Sequence, residues 1–345
     1  MTTESTSSAS MPGPAGLADD VVLELRDVRT HFALDEGLLK AVDGVSLKIR
    51  RNETLGIVGE SGCGKSVTAQ SVLRIVPDPG EVTGEIWLQR DSGAVDLATL
   101  PIAGREIRDI RGRDVAMIFQ EPMTAFSPVH SVGNQIMEAI LVHEDVGKKE
   151  ARARAVEVLT QVGIPEAELR VESLPHELSG GMRQRAMIAM ALVLKPKLLI
   201  ADEPTTALDV TIQAQILRLM QNFQQEMGMS IMFITHNLGV IANMADHMAV
   251  MYLGRVVEQG TVEQIFGAPK HPYTVALMES IPRIGITQGA RLSSISGTVP
   301  TPLDPPAECG FAGRCPKFIA GRCDAKVPDM QETSPGHHVR CVLYE

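Results

Sequence analysis

Residues 55–66 read LGIVGESGCGKS, an apolar run that passes straight into a glycine-rich loop closing on a lysine and a serine. The residues that follow, VTAQSVLRIV at 67–76, carry the spacing of a helix. Strand, loop and helix in that order fit the pattern G-x-x-x-x-G-K-[ST] over 59–66. Glycines let backbone N–H groups turn inward around phosphate oxygens, and the helix start adds the positive end of its dipole. Gly59, Glu60, Ser61, Gly62, Cys63, Gly64 and Val67 then form a phosphate cradle with Lys65 and Ser66. Lys65 supplies a point charge to the terminal phosphates of ATP, and Ser66 a hydroxyl for Mg²⁺. Cys63 lies inside the loop, where its backbone matters more than its sulfur.

A second stretch, KLLIADEP at 197–204, is an apolar strand that stops at two carboxylates. Such a strand places its acidic pair at the C-terminal edge of a sheet, where phosphates bind. Asp202 is expected to hold Mg²⁺ and Glu203 to polarise the attacking water as general base.

Outward from these two motifs, strands and helices alternate. VVLELRDV at 21–28 and SLKIRRNETLGIVG at 46–59 read as strands, 121–177 as an inserted helical lobe, and RQRAMIAMALVL at 183–194 as a helix. VTIQAQILRLMQNFQQEMG is a long amphipathic helix, and SIMFITH and HMAVMYLGRVVEQG are further strands. The alternation predicts an α/β fold: a parallel sheet with helices on both faces. The chain turns Pro- and Gly-rich after residue 266. The expected division is a disordered lead-in at 1–20, one ATPase domain at 21–265 with its helical lobe at about 121–177, and an extension at 266–345.

The 345 residues carry 42 acidic against 32 basic side chains, a net charge of −10, which argues against nucleic acid as a partner. No stretch approaches the ~20 apolar residues that cross a bilayer, and the first residues lack the basic and apolar regions of a signal peptide. The expected location is therefore cytoplasmic, with any membrane role exerted through a partner.

Further motifs carry a resemblance. LSGGM at 178–182 resembles the signature motif of ABC ATPases, with Met182 where the family usually has Gln. The resemblance implies a P-loop (RecA-like) ABC ATPase core with an antiparallel β subdomain and an inserted helical subdomain. It implies that Ser179, Gly180 and Gly181 bind the γ-phosphate of ATP held by a second subunit. Gln120 in IFQEP resembles the Q-loop residue that contacts Mg²⁺ and the attacking water. Asp209 in TALD resembles the D-loop residue at the dimer interface, and His236 the switch histidine that contacts the γ-phosphate. Adenine is expected to stack on an aromatic ahead of the phosphate loop; Phe32 is the candidate, with a core role as its rival.

GESGCGKS, IFQEPMTAFSPVHSVGNQI, LSGGMRQRAMIAMAL and HPYTVALMESIP look like the oligopeptide/dipeptide importer branch of that family. That likeness implies a motor that powers import of peptides or similar small solutes from the cytoplasmic face of the membrane. The partners it implies are a second, related ATPase subunit, two transmembrane permease subunits and, indirectly, an extracytoplasmic binding protein. A soluble ABC ATPase acting on ribosomes or DNA is the alternative, but such proteins commonly fuse two cores or insert long coiled coils. A non-hydrolysing regulatory subunit would be expected to lack Glu203 or His236.

Cys309, Cys315, Cys323 and Cys341 crowd the tail with the spacing C-x₅-C-x₇-C-x₁₇-C. Four thiolates serve iron–sulfur or zinc, and structural zinc usually shows tight C-x₂₋₄-C pairs, which this tail lacks. A [4Fe–4S] cluster is expected here, with Zn²⁺ the runner-up and disulfides or free thiols the remainder. The separation from the phosphate loop in sequence suggests a structural or docking role for it.

Overall fold

Strand β3 (Thr54–Val58) is buried at all five positions, and it runs parallel to its two neighbours, β8 (Ser230–Ile234) and β9 (His247–Tyr252). A parallel strand covered on both faces needs apolar side chains at every position, which is why β3, β8 and β7 (Leu198–Asp202) read as unbroken apolar runs. In this computed structural model, which describes residues 17–121, 125–206, 208–280, 295 and 297–345, β7 pairs parallel with β8 and β6 (Val115–Ile118) with β7. The lead-in expected at 1–20 lies outside the described residues as far as residue 16.

Beyond β9 the sheet turns antiparallel through β10 (Arg255–Thr261). It continues into the tail: β12 (His337–Arg340) pairs with β10, setting Glu258 opposite Val339, and β11 (Met330–Ser334) pairs with β12. The end of the chain thus extends the same eight-stranded sheet that carries the phosphate loop, in the order β11-β12-β10-β9-β3-β8-β7-β6. A second, antiparallel sheet holds β1 (Val21–Leu34), β2 (Gly37–Arg50), β4 (Gly80–Arg90) and β5 (Gly93–Asp96) in the order β2-β1-β4-β5.

Two apolar cores follow from these layers. One lies between the antiparallel sheet and one face of the main sheet, through Leu25, Val45, Ile86, Ile57, Val72 and Met232. The other joins the opposite face to the helical lobe, where Ile136 and Leu159 meet Met187, Leu199 and Phe233. The lobe is built from helices Val132–His143, Lys148–Gln161 and Ala167–Arg170. Helix Val210–Met227 buries only Ile216, Met220 and Phe223, one stripe at helical spacing, and ends on Gly228 in the left-handed region.

The tail does not stand apart. Tyr273, Met278 and Phe311 are buried in the second core, while Ala312, Cys323 and Val342 form a small cluster of their own beside it.

Candidate active site

The phosphate loop follows β3 and leads into helix Lys65–Val72. Two of its glycines are imposed by close backbone. A Cβ on Gly59 would stand 2.3 Å from the carbonyl oxygen of Met251, and one on Gly64 2.1 Å from that of Ala41, both with positive φ. The loop is therefore pressed between the β9 end and β2. Lys65 is buried and its Nζ donates to the carbonyls of Gly59 (2.9 Å) and Glu60 (3.1 Å). Cys63 is also buried, and burial pushes its thiol up, which keeps the sulfur neutral and unreactive.

At the sheet edge Ser66 Oγ donates to Asp202 Oδ1 at 3.0 Å. Burial raises the Asp202 carboxyl above its ordinary value, while the Ser66 hydrogen bond works the other way. A buried carboxylate beside a hydroxyl, both hard oxygen donors, fits Mg²⁺. Glu203 has φ 48°, an uncommon conformation for a non-glycine residue that turns it off the strand line. Its Oε2 accepts from Thr206 Oγ1 at 2.9 Å, lies 3.1 Å from His236 Nδ1, and meets Gln120 Nε2 at 3.5 Å. Residues from three separate strand ends thus converge on one carboxylate.

Ser61, Gly62, Gly64, Lys65, Ser66, Val67, Gln120 and Glu203 line one cleft of about 410 Å³. Its other walls are Leu39 and Ala41 of β2 and the tail residues Val299–Pro302. The tail segment is held there by Lys40 N donating to Pro302 O (2.9 Å) and Asp304 N donating to Leu38 O (3.0 Å). Phe32 is not among the lining residues; a Cβ on Gly80 would come within 2.7 Å of its ring, so it is packed on the neighbouring strand β4.

The LSGGM residues lie elsewhere. Ser179 and Gly180 are exposed and absent from the cleft. Ser179 caps helix Gly180–Leu192, accepting from Met182 N at 3.3 Å, so Gly180 and Gly181 form the helix's first turn, where the sequence reading put them just before it. Asp209 is likewise an exposed cap, accepting from Ile212 N at 2.9 Å. Gln184, which the sequence reading passed over, is buried and donates to the Pro204 carbonyl, tying the LSGGM helix to the residue after Glu203.

Residues 42–206 match the ABC transporter family, and residues 257–323 the C-terminal region of oligopeptide/dipeptide transporters. A probable peptide ABC transporter ATP-binding protein of Sinorhizobium fredii is 50% identical over 93% of this chain and 95% of its own. The oligopeptide transport ATP-binding protein OppD of Bacillus subtilis is 48% identical over 93% of this chain and 88% of its own. The chain belongs to the ATP-binding subunits of ABC transporters, in their oligopeptide/dipeptide branch. Its fold is that of a solved bacterial ABC transporter cassette, MJ0796, a dimer at 25% identity and TM-score 0.61 that covers 70% of this chain and 98% of its own. The same cassette has been solved in a post-hydrolysis state bound to ADP and Pi. The chain is accordingly an ABC ATPase.

The tail of this ABC ATPase reaches its phosphate loop. Tyr273, within the HPYT stretch, accepts from Glu60 N at 2.9 Å, and Arg314 forms a two-pronged ion pair with the Glu60 carboxylate at 2.8 and 3.1 Å. The tail cysteines, by contrast, do not form the metal centre expected of them. Among the described residues no group of three or more His, Cys, Asp or Glu side chains is placed to hold a metal ion. Burial, with smaller contributions from nearby Cys323, Cys341 and Cys315, pushes the Cys309 thiol up to about 11. In this arrangement the four cysteines do not come together as a ligand set for a [4Fe–4S] cluster or for Zn²⁺. Among the described residues no helix is long and apolar enough to cross a membrane.

Proposed function

We propose that the chain hydrolyses ATP in a two-subunit sandwich to drive peptide import through membrane permease subunits. The observation that carries this reading is the exposure of Ser179 and Gly180 on a surface away from the chain's own cleft. A helix N-terminus with exposed amides suits a phosphate, and its lying outside the chain's own cleft supports a role at the nucleotide of a second subunit.

Within each site Lys65 and the loop amides from Gly59 to Val67 hold the phosphates of ATP. Mg²⁺, held by Ser66 and Asp202, would neutralise phosphate charge as the terminal phosphate leaves. Glu203 accepts a proton from the attacking water, with its carboxylate oriented by Thr206 and His236. Gln120 bridges that water and the helical lobe, and Asp209 lies at the edge facing the partner. Leu39, Ala41 and the Val299–Pro302 segment form the apolar side of the cleft available to the base, with Phe32 one strand away.

The second ATPase subunit is taken as a related, non-identical chain, with two permeases and an extracytoplasmic peptide-binding protein completing the importer. The chain then sits at the cytoplasmic face of the membrane, held only by its permease partners. Co-purification with the membrane subunits, mass spectrometry of the complex, and peptide-stimulated ATPase in liposomes test this reading. A complex of two such ATPases with two permeases that hydrolyses ATP in response to peptide is the expected result.

For the tail, the [4Fe–4S] reading has the chemistry of four neighbouring thiols on its side and the arrangement of those thiols against it. Iron, sulfide and zinc analysis of anaerobically purified protein decides it: about four irons per chain would restore the cluster, and metal-free protein would leave four free thiols.

A further inference from the structure

Glu60, the second residue of the phosphate loop, is gripped from two sides by the C-terminal extension. Its N–H donates to the Tyr273 hydroxyl at 2.9 Å, and its carboxylate takes both terminal nitrogens of Arg314 at 2.8 and 3.1 Å. Neither partner is a loose surface side chain. Tyr273 is fully buried, and Arg314, with its side chain 8% exposed, lies over the rings of Tyr252 (5.8 Å) and Phe311 (6.0 Å). The Tyr252 and Tyr273 ring centroids are 4.6 Å apart, so hydroxyl and guanidinium are set by one aromatic cluster.

We propose that Tyr273 and Arg314 are positioning residues for ATP binding: they hold the first peptide of the phosphate loop in the conformation that receives the phosphates. The proposal rests on the reading of 59–66 as the ATP site. Lys65 Nζ donates to the carbonyl of Glu60, so a shift of that residue moves the partner of the phosphate-binding lysine. A bidentate arginine and carboxylate fix direction as well as distance, and a cradle of backbone amides depends on direction. Burial raises the Tyr273 hydroxyl above its ordinary range, which keeps it a neutral hydrogen-bonding group at any physiological pH. Because binding couplings are reciprocal, MgATP on the loop should in turn tighten the extension around Arg314.

The experiment uses the full chain with a fluorescent ATP analogue and Mg²⁺. Wild type, Tyr273→Phe, Arg314→Gln, Glu60→Gln and the double variant Glu60→Gln/Arg314→Gln are titrated, with amide hydrogen exchange recorded over residues 308–320. Tyr344→Phe is the control, since it removes another tyrosine hydroxyl of the extension, one that donates to the Lys270 carbonyl. Tyr273→Phe and Arg314→Gln should weaken nucleotide binding about five- to tenfold, the effect of one lost hydrogen bond or more. The double variant should lose no more than the worse single one, and Tyr344→Phe should bind like wild type. MgATP should slow exchange over 308–320 in wild type and not in Arg314→Gln. Wild-type affinity in both Tyr273→Phe and Arg314→Gln would overturn the proposal. Lys65→Ala separates the two readings: if it binds nucleotide as wild type does, the ATP site itself is misplaced.

Discussion

Ser66 Oγ and Asp202 Oδ1 are 3.0 Å apart, joining the start of the first helix to the end of β7 across 136 positions of sequence. The contact unites the two halves of the metal-holding pair, and burial makes it costly for Asp202 to stay ionised.

Replacing Asp202 with Asn tests that cost. An acid whose folded pKa is raised binds its proton more tightly in the native chain. Its stabilising effect is present at low pH and is lost as the pH rises through the folded value. At pH 7 Asp202→Asn, which keeps an acceptor for Ser66, should therefore raise the stability of the nucleotide-free chain. The same variant should lose most of the thermal stabilisation that MgATP confers on wild type. Differential scanning calorimetry with and without MgATP reads both effects.

Ser179→Ala separates a chain's own cleft from the one it completes. Loss of the cap should cost ~1 kcal/mol of stability. ATP affinity of the isolated monomer should match wild type, because Ser179 is outside that cleft. Steady-state hydrolysis by the assembled transporter should fall at least tenfold, as measured by phosphate release.

The HPYT turn should make the extension acid-sensitive. His271 caps helix Pro272–Glu279 by accepting from Tyr273 N at 3.1 Å through Nδ1, and its backbone N–H is held by buried Glu258. Burial lowers its pKa from 6.5 to about 3. A base held neutral binds its proton less tightly when folded, so this stability is complete above pH 6.5 and declines as the pH falls toward 3. About 1 kcal/mol should be gone at pH 5.5. His271→Asn keeps a capping acceptor and should remove much of the acid dependence, as followed by urea unfolding between pH 5 and 7.5.

The legible parts of this molecule are those whose residues repeat on a structural period. β3, β7 and β8 are buried on both faces and appear as apolar runs, and helix Val210–Met227 shows its single stripe. Gln120, Glu203 and His236 stand at strand ends, which is why motif order alone set them near one another. The tail was harder to read. β12 is four residues, HHVR, whose polar look hides the burial of His337 against Glu258 at 2.8 Å. The Arg314–Glu60 contact spans 254 positions and has no periodic signature, so the separation in sequence misleadingly suggested a tail remote from the phosphate loop. The cysteine spacing was visible, but whether thiols meet at ligand distance depends on loop geometry that spacing does not specify. Phe32, singled out for want of other aromatics, lies on β1 opposite Leu39, and the cleft wall itself is of aliphatic and proline residues from β2 and the tail.

The measurement that bears most directly on the ATPase assignment is turnover by Glu203→Gln in the assembled transporter, alongside its affinity for MgATP. The Glu203 carboxylate, which receives Thr206 and stands 3.1 Å from His236, lines the cleft and is the base this account assigns to the attacking water. Loss of a positioned base lowers rates by ~10²–10⁴-fold, and the phosphate loop is untouched by the change. The expected result is wild-type nucleotide affinity with phosphate release reduced at least a hundredfold. A variant that still hydrolyses ATP at half the wild-type rate would contradict the account.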